Sequence, residues 1–451
     1  MKILFLSPRT GRESKTPAAL MIPQLGLHIL AGLTPPEHEV KIVEEEAEDI
    51  NLDEPCDVVG ISCMTANAPR AYHLAHEFRR RGRKVVLGGV HPSILPDEAI
   101  EHADAVVVGE AEGVWNEVLA EAAAGTLRRR YHRPDCDLAS YIPMRKGSFV
   151  RKSLFQVLPV MTTRGCPFRC DFCCVSDLFG NRIRHLPVAN VVRFIQETGG
   201  KRYLFLDDNV IGDRRYAREL FAGIRPLGIQ WVGQASVSLS HDRNLLKLAA
   251  DSGCAGLFFG VESVSAAQLQ KMQKSPKNVV LLEDAIKRVR DAGMFFHASL
   301  VFGFDEDTKA IFPETLEFLS RNKIGTATFN VLTPYPGTRI YEQFRREGRL
   351  LTEDWRHYDH ATVVFRPRNM SPCELQEGKA WVKREFSRLW SILRRSPANL
   401  RHPFYYAAMN LAIRKNAVED YRELPRQKAE LFDEAQSVPH ALREEKMPQL
   451  C

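Results

Sequence analysis

Three cysteines stand at a fixed spacing a little before the middle of the chain. Cys166, Cys170 and Cys173 form the pattern C-x3-C-x2-C directly after an apolar run. Gly165 and the proline that follows the first cysteine keep this stretch out of helix and strand. Three thiolates on one loop can bind three corners of an iron–sulfur cube and leave its fourth iron open for a substrate or cofactor. The spacing therefore predicts a cluster loop, with a three-cysteine zinc site or buried structural cysteines as the alternatives.

This loop resembles the signature of the radical S-adenosylmethionine (SAM) superfamily, C-x3-C-x-aromatic-C, with Phe172 in the aromatic position. The resemblance implies that Cys166, Cys170 and Cys173 are the catalytic and metal-binding residues of a [4Fe–4S] cluster. It also implies that SAM binds the open iron and is split there into methionine and a 5′-deoxyadenosyl radical. Cys174 is expected to be a spare thiol, because a residue adjacent to a ligand cannot easily reach the same cube.

Length and composition bound the architecture and the compartment. A chain of 451 residues is too long for one ordinary core and predicts two or three domains. Its ten cysteines are not a disulfide framework, and a cluster loop requires reduced thiols, so a cytoplasmic location is expected. The apolar start of the chain is too short for a signal peptide, and no run has the length of a membrane-spanning helix. The net charge of +6 is too small and too spread out to predict nucleic-acid binding.

Residues 1–140 predict a parallel α/β domain. Five short β-rich runs alternate with helical or loop stretches, at residues 3–6, 39–43, 57–62, 84–87 and 104–108. Several of these runs are almost continuously apolar, as strands are when both faces of a parallel sheet are buried. We therefore expect a doubly wound, Rossmann-like sheet that binds ligands beyond the carboxyl ends of its strands.

The loops after three of these strands resemble the cobalamin-binding domain of class B radical SAM enzymes. The resemblance rests on Gly-Gly-x-His at residues 88–91 and on Val-x-Gly-Glu-x-Glu at residues 107–112. It implies a corrin that contacts Ser62, Thr65, Gly88, Gly89, His91, Gly109 and Glu110. The motif Asp-x-His-x-x-Gly for a lower cobalt ligand is absent after the first strand, which implies cobalt without a histidine below it or a domain that has lost cobalamin. His91 is expected to make a polar contact rather than to bind cobalt.

Residues 141–154 predict a linker, and residues 155–345 predict a second parallel domain. Six strand-like runs alternate here with longer amphipathic stretches, at residues 157–163, 203–206, 230–236, 256–261, 296–302 and 326–332. Six β-α units predict a partial (β/α)6 barrel with its chemistry at the carboxyl ends of the strands. The cluster loop follows the first of these strands, where the active site of a barrel belongs.

Polar groups at the other strand ends of the barrel predict a SAM site. Carboxylates and amides at these positions suit the ribose hydroxyls and the ammonium group of SAM. The family resemblance implies contacts with SAM from Phe172, Asp207, Asp208, Gln234, Ser236, Gly260 and Glu262. The Gly-Gly-Glu of many relatives is replaced here by a stretch that ends in Asp207-Asp208. The alternative function of this acidic pair is to cap the next helix.

Residues 346–451 predict a helical C-terminal region. Two amphipathic stretches, at residues 383–395 and 405–414, interleave large apolar side chains with basic ones. One interpretation is a helical cap over the open side of the barrel. The other is a face for a lipid-like substrate, which would bring these helices into peripheral contact with a membrane.

The resemblance covers residues 1–345 and is to the branch that includes hopanoid methylases and the anaerobic magnesium-protoporphyrin monomethyl ester cyclase. It implies a [4Fe–4S] cluster, SAM and cobalamin, an electron donor such as flavodoxin or ferredoxin, and C-methylation of an unactivated carbon of a small or lipid-like metabolite. A radical cyclase or dehydratase of the same architecture is the alternative. An RNA methylthiotransferase and a noncatalytic cobalamin sensor are weaker candidates, because the sequence offers neither a second cluster loop nor a helix-turn-helix.

Overall fold

Two six-stranded sheets form the frame of the chain. The computed structural model describes residues 1–10, 22–133, 136–138, 156–265, 268, 278–396 and 401–428. The predicted linker, residues 141–154, lies outside these ranges. The chain divides into two units, and we describe each by itself. Unit 1 comprises Met1–Gly260, Leu282–His297 and Tyr335–Glu342, and unit 2 comprises Val261–Leu281, Ala298–Pro334 and Gln343–Cys451.

The first sheet confirms the predicted doubly wound fold. In chain order its strands are β1 (Lys2–Ser7), β2 (Glu39–Glu44), β3 (Val58–Ser62), β4 (Lys84–Gly88), β5 (Ala105–Val108) and β6 (Arg130–His132). They lie in the order β2-β1-β3-β4-β5-β6, and each neighbouring pair is parallel. Strand β6 was not predicted, because its three residues include a single large apolar side chain.

Helices accompany this sheet, and its apolar side chains form two separate cores. The helices are α1 (Leu25–Leu33), α2 (Ala68–Arg80), α3 (Val90–Ile94), α4 (Pro96–His102) and α5 (Trp115–Ala124). One core contains Phe78 of α2 and the other contains Trp115 of α5. Trp115 packs against Phe5 with ring centroids 5.3 Å apart, and its indole N–H donates to Thr34 Oγ1 (2.9 Å). Cores that draw on alternate residues of the same strands explain why these strands are apolar at successive positions.

The second sheet confirms the predicted parallel β/α architecture. The remaining strands are β7 (Leu158–Val160), β8 (Thr163–Arg164), β9 (Arg184–His185), β10 (Arg202–Phe205), β11 (Gln230–Ala235), β12 (Cys254–Glu262), β13 (Phe295–Phe302) and β14 (Thr326–Val331). Six of them form the sheet in the order β14-β13-β12-β11-β10-β7, while β8 and β9 pair separately as an antiparallel ribbon. The accompanying helices are α6 (Val175–Phe179), α7 (Val188–Thr198), α8 (Arg214–Ile224), α9 (Arg243–Asp251), α10 (Asn278–Asp291), α11 (Ile311–Arg321) and α12 (Arg339–Arg346).

One face of the second sheet is buried and the other is open. In β10 and β11, the rings of Phe205 and Trp231 are fully buried and stack with centroids 4.7 Å apart. Leu206 and Gln234 lie at alternate positions to these residues and are exposed. Because successive side chains of a strand point to opposite faces, the exposed pair belongs to the face on which a ligand has room.

The C-terminal region of unit 2 is helical, as predicted. It contains α13 (Pro372–Phe386), α14 (Leu389–Arg395) and α15 (Pro403–Lys428). Helices α13 and α15 pack against β14, and α13 also packs against α11. Lys379 and Lys383 of α13 form ion pairs with Asp420 of α15 at 3.2 and 2.6 Å. These helices therefore form one packed layer against the strand at the edge of the sheet. Within the described ranges, every helix is too short or too polar to cross a bilayer.

A buried arginine fastens this layer to the sheet. Arg395 is almost fully buried, and its guanidinium donates to the carbonyl oxygens of Ile324 (2.9 Å), Gly325 (2.6 Å) and Phe386 (2.8 Å). The first two carbonyls directly precede β14. The guanidinium carbon also lies 3.6 Å from the ring centroid of Phe386, a cation–π contact.

Replacing this arginine tests the attachment of the helices. Arg395→Gln leaves buried carbonyl groups without donors, so we expect the free energy of unfolding to fall by about 3 kcal/mol. Arg394→Gln changes the exposed neighbour and is expected to stay within about 0.5 kcal/mol of the wild type. Urea unfolding followed by circular dichroism measures both. Equal stability of the two variants would contradict the role of Arg395.

Candidate active site

The cluster loop is closed at its base by the ribbon of β8 and β9. Thr163 pairs with His185 and Arg164 pairs with Arg184, so the chain enters and leaves the loop side by side. Gly165 follows β8 with φ of 90°, and a Cβ atom at this position would lie 2.2 Å from the carbonyl oxygen of Arg182. Only glycine fits this turn, because both its backbone conformation and the space beside it exclude a side chain.

Asp207 supports the strand that leads into the loop. Its carboxylate accepts hydrogen bonds from the Thr162 N–H (2.7 Å), the Thr162 hydroxyl (2.8 Å) and the Thr163 N–H. The side chain is fully buried, and burial raises the pKa of Asp207 to about 6 although these donors lower it. Both carboxylate oxygens thus accept hydrogen bonds from Thr162 or Thr163, and the expected contact between Asp207 and SAM stays a prediction.

Asp208 lies beside the cysteines. Its carboxylate accepts a hydrogen bond from the Gly165 N–H (3.0 Å). Burial raises the pKa of the Cys166 thiol, and the negative charge of Asp208 raises it further. Cys173 responds in the same way, with burial and then its neighbours raising the pKa to about 12. Of the two predicted acidic residues, Asp208 is therefore the one that faces the thiols.

The three predicted cluster ligands lie on one partly exposed turn. Cys166, Cys170 and Cys173 are each of intermediate exposure, and the Cys173 N–H donates to the Cys170 carbonyl (3.1 Å). None of the nine cysteines that the structure describes forms a disulfide. No three acidic, thiol or imidazole side chains converge on a single-ion site in the described ranges. A cube of four irons takes each thiolate at a different iron, so its ligands need not converge on one point. Cys174 instead precedes α6, and its carbonyl accepts from the Asp177 N–H (3.1 Å).

The remaining predicted SAM residues lie at the ends of the next strands. Gln234 is exposed on the open face, and the Ser236 N–H donates to the side chain of Asn209 (3.1 Å). Asn209 is a buried residue that the sequence did not single out, and it ties the loop after β10 to the end of β11. Phe172 and Gly260 are partly exposed. In unit 2, Glu262 has φ of 64°, a strained conformation of the kind that collects at functional sites.

In the first sheet, some of the predicted cobalamin residues lie in exposed loops, and others are buried beneath the surface and support these loops. His91 is fully buried, and its ring nitrogens face Thr65 Oγ1 (3.3 Å) and Glu98 Oε1 (3.2 Å). Thr65 is buried beside it, and the expected contacts of His91 and Thr65 with a corrin stay predictions. Met64, by contrast, is strongly exposed between Thr65 and the end of β3. It offers an apolar surface at the edge where the ligand is expected.

Serine and glycine bring the loops after β3, β4 and β5 together. Gly89 has φ of 98°, and a Cβ atom there would lie 2.6 Å from the Cys63 carbonyl oxygen. Ser93, which the sequence did not single out, donates from its hydroxyl to the Gly89 carbonyl (2.6 Å) and accepts from the Gly109 N–H (2.9 Å). Ser62 and Gly88 are partly exposed at the ends of their strands. The result is a rim of backbone with little side chain above it, which suits a broad planar ligand such as a corrin.

A buried cluster of charges joins this rim to the cluster loop. Arg164 pairs with Glu110 (2.9 Å) and with Glu112, and Arg184 donates two hydrogen bonds to Glu110 (2.8 and 2.6 Å). Burial alone would raise the pKa of Glu110, but Arg184 and Arg164 outweigh it and hold that pKa below its usual value. Glu110 thus links the two sets of loops, and its expected contact with the corrin stays a prediction.

Two apolar contacts join the same elements of unit 1. Helix α6, which follows the cluster loop, packs against α3, which follows Gly89. Near the end of the loop between β14 and α12, a Cβ atom on Gly337 would lie 2.8 Å from the Ile94 side chain at the end of α3. The end of β4 and the cluster loop are therefore held together within one compact unit.

Comparison with known proteins agrees with this arrangement. Residues 16–119 match the B12 binding domain family, and residues 160–319 match the Radical SAM superfamily. The bacteriochlorophyllide d C-8(2)-methyltransferase of Chlorobaculum tepidum is 30% identical over 372 residues, which cover 78% of this chain and 82% of that protein. The chain belongs to the cobalamin-binding radical SAM enzymes. The C-12(1)-methyltransferase of the same organism is 28% identical and covers 87% of this chain and 89% of that protein.

Solved structures of this family share the fold. The cobalamin-dependent radical SAM enzyme OxsB, with aqua-cobalamin and SAM bound, gives a TM-score of 0.67 at 13% identity over 91% of this chain and 72% of that one. The methyltransferase TsrM from Kitasatospora setae, with cobalamin and a [4Fe–4S] cluster bound, gives 0.63 at 17% identity over 77% of this chain and 78% of that one. At such low identities the likeness concerns the fold alone.

The hydrogen bonds that Asp207 accepts lead to the first prediction for this site. Asp207→Ala leaves two backbone N–H groups and one hydroxyl without their acceptor, so we expect a loss of about 3 kcal/mol in the free energy of unfolding and a lower iron content after anaerobic reconstitution. Asp242→Ala is the control, because the Asp242 side chain also accepts from a backbone N–H, that of Leu245 (2.9 Å), but does so as the cap of α9, where it pairs with Arg218. We expect about 1 kcal/mol and unchanged iron for this control. Full iron binding by Asp207→Ala would contradict the supporting role.

The ion pairs of Arg164 with Glu110 and Glu112 lead to the second prediction. Arg164→Gln leaves Glu112 buried without its cation, which is expected to cost about 3–5 kcal/mol. Arg169→Gln changes an exposed arginine of the same loop and is expected to cost less than about 0.5 kcal/mol. Thermal unfolding of the two variants at neutral pH measures the difference. A melting temperature of Arg164→Gln equal to that of Arg169→Gln would show that the ion pairs do not hold the loops together.

Proposed function

We propose that the protein is a cobalamin-dependent radical SAM C-methyltransferase that methylates an unactivated carbon of a small or lipid-like metabolite. The observation that carries this proposal is the link between the two sets of loops, through Glu110, Glu112 and Arg164, within one compact unit. A methylase of this kind needs its methyl-carrying cofactor beside the place where the radical forms. A barrel that used only the cluster would not need this attachment.

The residues present fit the three cofactors. Cys166, Cys170 and Cys173 supply the thiolates of a [4Fe–4S] cluster, whose open iron suits the amino and carboxylate groups of SAM. We propose contacts with SAM from Phe172, Asp208, Gln234, Ser236, Gly260 and Glu262, and support of the cluster loop from Asp207. The corrin would lie over Ser62, Met64, Gly88, Gly89 and Gly109. When bound, the cluster supplies the electron that splits SAM and the cobalamin supplies the methyl group.

The chain itself contributes binding, orientation and the exclusion of water. Phe168, on the cluster loop, and Leu206, after β10, are large apolar side chains that are exposed in unit 1. Together with Met64 they offer exposed apolar surface that we expect a substrate and a corrin to cover. Gln234 places an amide on the same open face as Leu206, where it can orient a polar group of SAM or of the substrate.

The substrate class follows from this apolar surface and from the relatives. The C-8(2) and C-12(1) enzymes are named as methyltransferases of bacteriochlorophyllide d, and the hopanoid C-2 methylase of Rhodopseudomonas palustris is 24% identical over 354 residues. Tetrapyrroles and hopanoids are both large, rigid and largely apolar ring systems. We therefore propose a polycyclic, hydrophobic substrate for this enzyme.

The proposal includes the partners and the compartment. A reduced flavodoxin or ferredoxin would deliver the electron, and the cytoplasm would keep the cluster thiols reduced. Peripheral contact between the C-terminal helices and a membrane fits a substrate that dissolves in lipid.

The products of the reaction test the methylation. Reconstituted enzyme with cobalamin, SAM, a reductant and a panel of tetrapyrroles and hopanoids should give 5′-deoxyadenosine, S-adenosylhomocysteine and a substrate heavier by one methylene group. One SAM yields deoxyadenosine and methionine, and a second yields the homocysteine product. Mass spectrometry measures all of these products. Deoxyadenosine with a ring-closed or dehydrated product, and without S-adenosylhomocysteine, would favour the cyclase or dehydratase alternative.

Paired cysteine variants separate the cluster from the neighbouring thiol. Cys173→Ala should lose most of the roughly four irons expected per chain and form no deoxyadenosine. Cys174→Ala should retain both, because its thiol is not needed by the cube. About eight irons in the wild type would instead support a methylthiotransferase with a second cluster.

A further inference from the structure

Residues 387–418 of unit 2 carry an unusual distribution of charge. This segment contains no aspartate or glutamate, whereas its six basic residues are Arg388, Arg394, Arg395, Arg401, Arg414 and Lys415. The net charge of the whole chain is +6, so this short segment accounts for all of it. Arg395 is buried, as described above, while Arg388 and Lys415 pair with Glu385 (2.8 Å) and Glu419 (3.7 Å), which flank the segment. The five basic residues other than Arg395 lie on or next to α14 and α15.

The same segment exposes large apolar side chains. On α14, Trp390 exposes 70% of its surface, Leu393 exposes 60%, and Leu389 is exposed beside them. On α15, Leu411 exposes 62%, and Phe404 is exposed two turns before it. Trp390 is the most exposed large apolar residue among those the structure describes. Positions 404, 407, 408 and 411 are all exposed, so they form an apolar stripe along one side of α15.

Both helices are held rigidly by their opposite sides. Arg395 fastens α14 to the backbone before β14, as described above, and the Tyr406 hydroxyl of α15 donates to the Ile392 carbonyl of α14 (2.6 Å). Asn410 of α15 donates to the Gly325 carbonyl (3.2 Å). The exposed apolar side chains therefore project from a fixed support. Packing against the rest of unit 2 is already provided by other residues of these helices.

We infer, as a sharper form of the peripheral membrane contact proposed above, that the described residues of this segment, 387–396 and 401–418, form a face that binds the surface of an anionic lipid bilayer. A helix that lies in the membrane interface combines an apolar side with flanking arginines and lysines, and tryptophan is favoured at the level of the headgroups. Trp390, Leu393 and Leu411 would enter the boundary of the acyl chains. The exposed arginines, Arg388, Arg394 and Arg401, would contact the lipid phosphates. A second copy of the chain is a poor partner, because two such faces would bring like charges together.

Binding to vesicles tests this inference without any catalysis. The full-length protein is sedimented with vesicles of phosphatidylcholine, with and without phosphatidylglycerol, at low and high salt. We expect binding to the anionic vesicles only, and weaker binding at high salt, because screening reduces the attraction. Absence of binding to anionic vesicles, or equal binding to neutral ones, would overturn the inference. Because no substrate is needed, this outcome is independent of the proposed methylation.

Charge variants locate the contact. Arg388→Gln with Arg394→Gln removes two exposed cations and should weaken binding to anionic vesicles about 30-fold. Arg193→Gln with Arg215→Gln removes the same charge from the exposed sides of α7 and α8 and should leave the affinity unchanged. An equal loss in both double variants would reduce the effect to net charge and would contradict a specific face.

Apolar variants provide the second test. Trp390→Ser with Leu393→Ser should reduce binding to anionic vesicles at least tenfold, because two inserted side chains are lost. Circular dichroism and the melting temperature should not change, since both residues are exposed in the wild type. Analytical ultracentrifugation without lipid is the remaining measurement. A dimer that this double variant dissociates would assign the face to a second copy of the chain and overturn the inference.

Discussion

The buried ion pairs around Arg164 are the interaction on which the arrangement of unit 1 depends. A guanidinium directly before the cluster loop lies between two carboxylates that follow β5, and Arg184 at the exit of the same loop shares one of them. Charges buried in this way tolerate little displacement, since separating them leaves each one desolvated and unpaired. Ion pairs therefore hold both ends of the cluster loop against the residues that follow β5 of the first sheet. A flexible connection between the domains would not provide such a fixed separation.

The sequence was sufficient to predict the architecture, because its signals are strong and local. Continuous apolar runs at β1, β3 and β5 predict strands that are buried on both faces, and the cysteine spacing predicts the loop. Strand β6 and the ribbon of β8 and β9 escaped prediction. Two or three residues are too few to show a period, and they become strands only because a neighbouring backbone pairs with them.

The details of the site were harder to predict, for a physical reason. A polar residue at the end of a strand is expected near a ligand, but spacing does not tell whether its side chain points into the site or beneath it. The side chains of Asp207, His91 and Glu110 are buried, and their hydrogen bonds and ion pairs support the loops. Their partners, Thr162, Thr65 and Arg184, are distant in the sequence, so no local pattern predicts these contacts. The sequence did contain a signal for Arg164, because this charged residue directly precedes Gly165. A charged side chain at a crowded turn needs a counter-charge, so an ion pair was to be expected there.

The attachment of the C-terminal helices also has a consequence for solubility. Strand β14 is at the edge of its sheet, where unpaired backbone groups invite a strand from another chain. In this protein the His360 carbonyl accepts from the Val331 N–H, while Arg395 and Asn410 occupy the carbonyls before the strand. The helical layer thereby protects the sheet edge at β14 from edge-to-edge aggregation. A fragment of this enzyme that contains only its two cofactor-binding domains would lose this protection, and its exposed β14 could pair with a strand of another molecule.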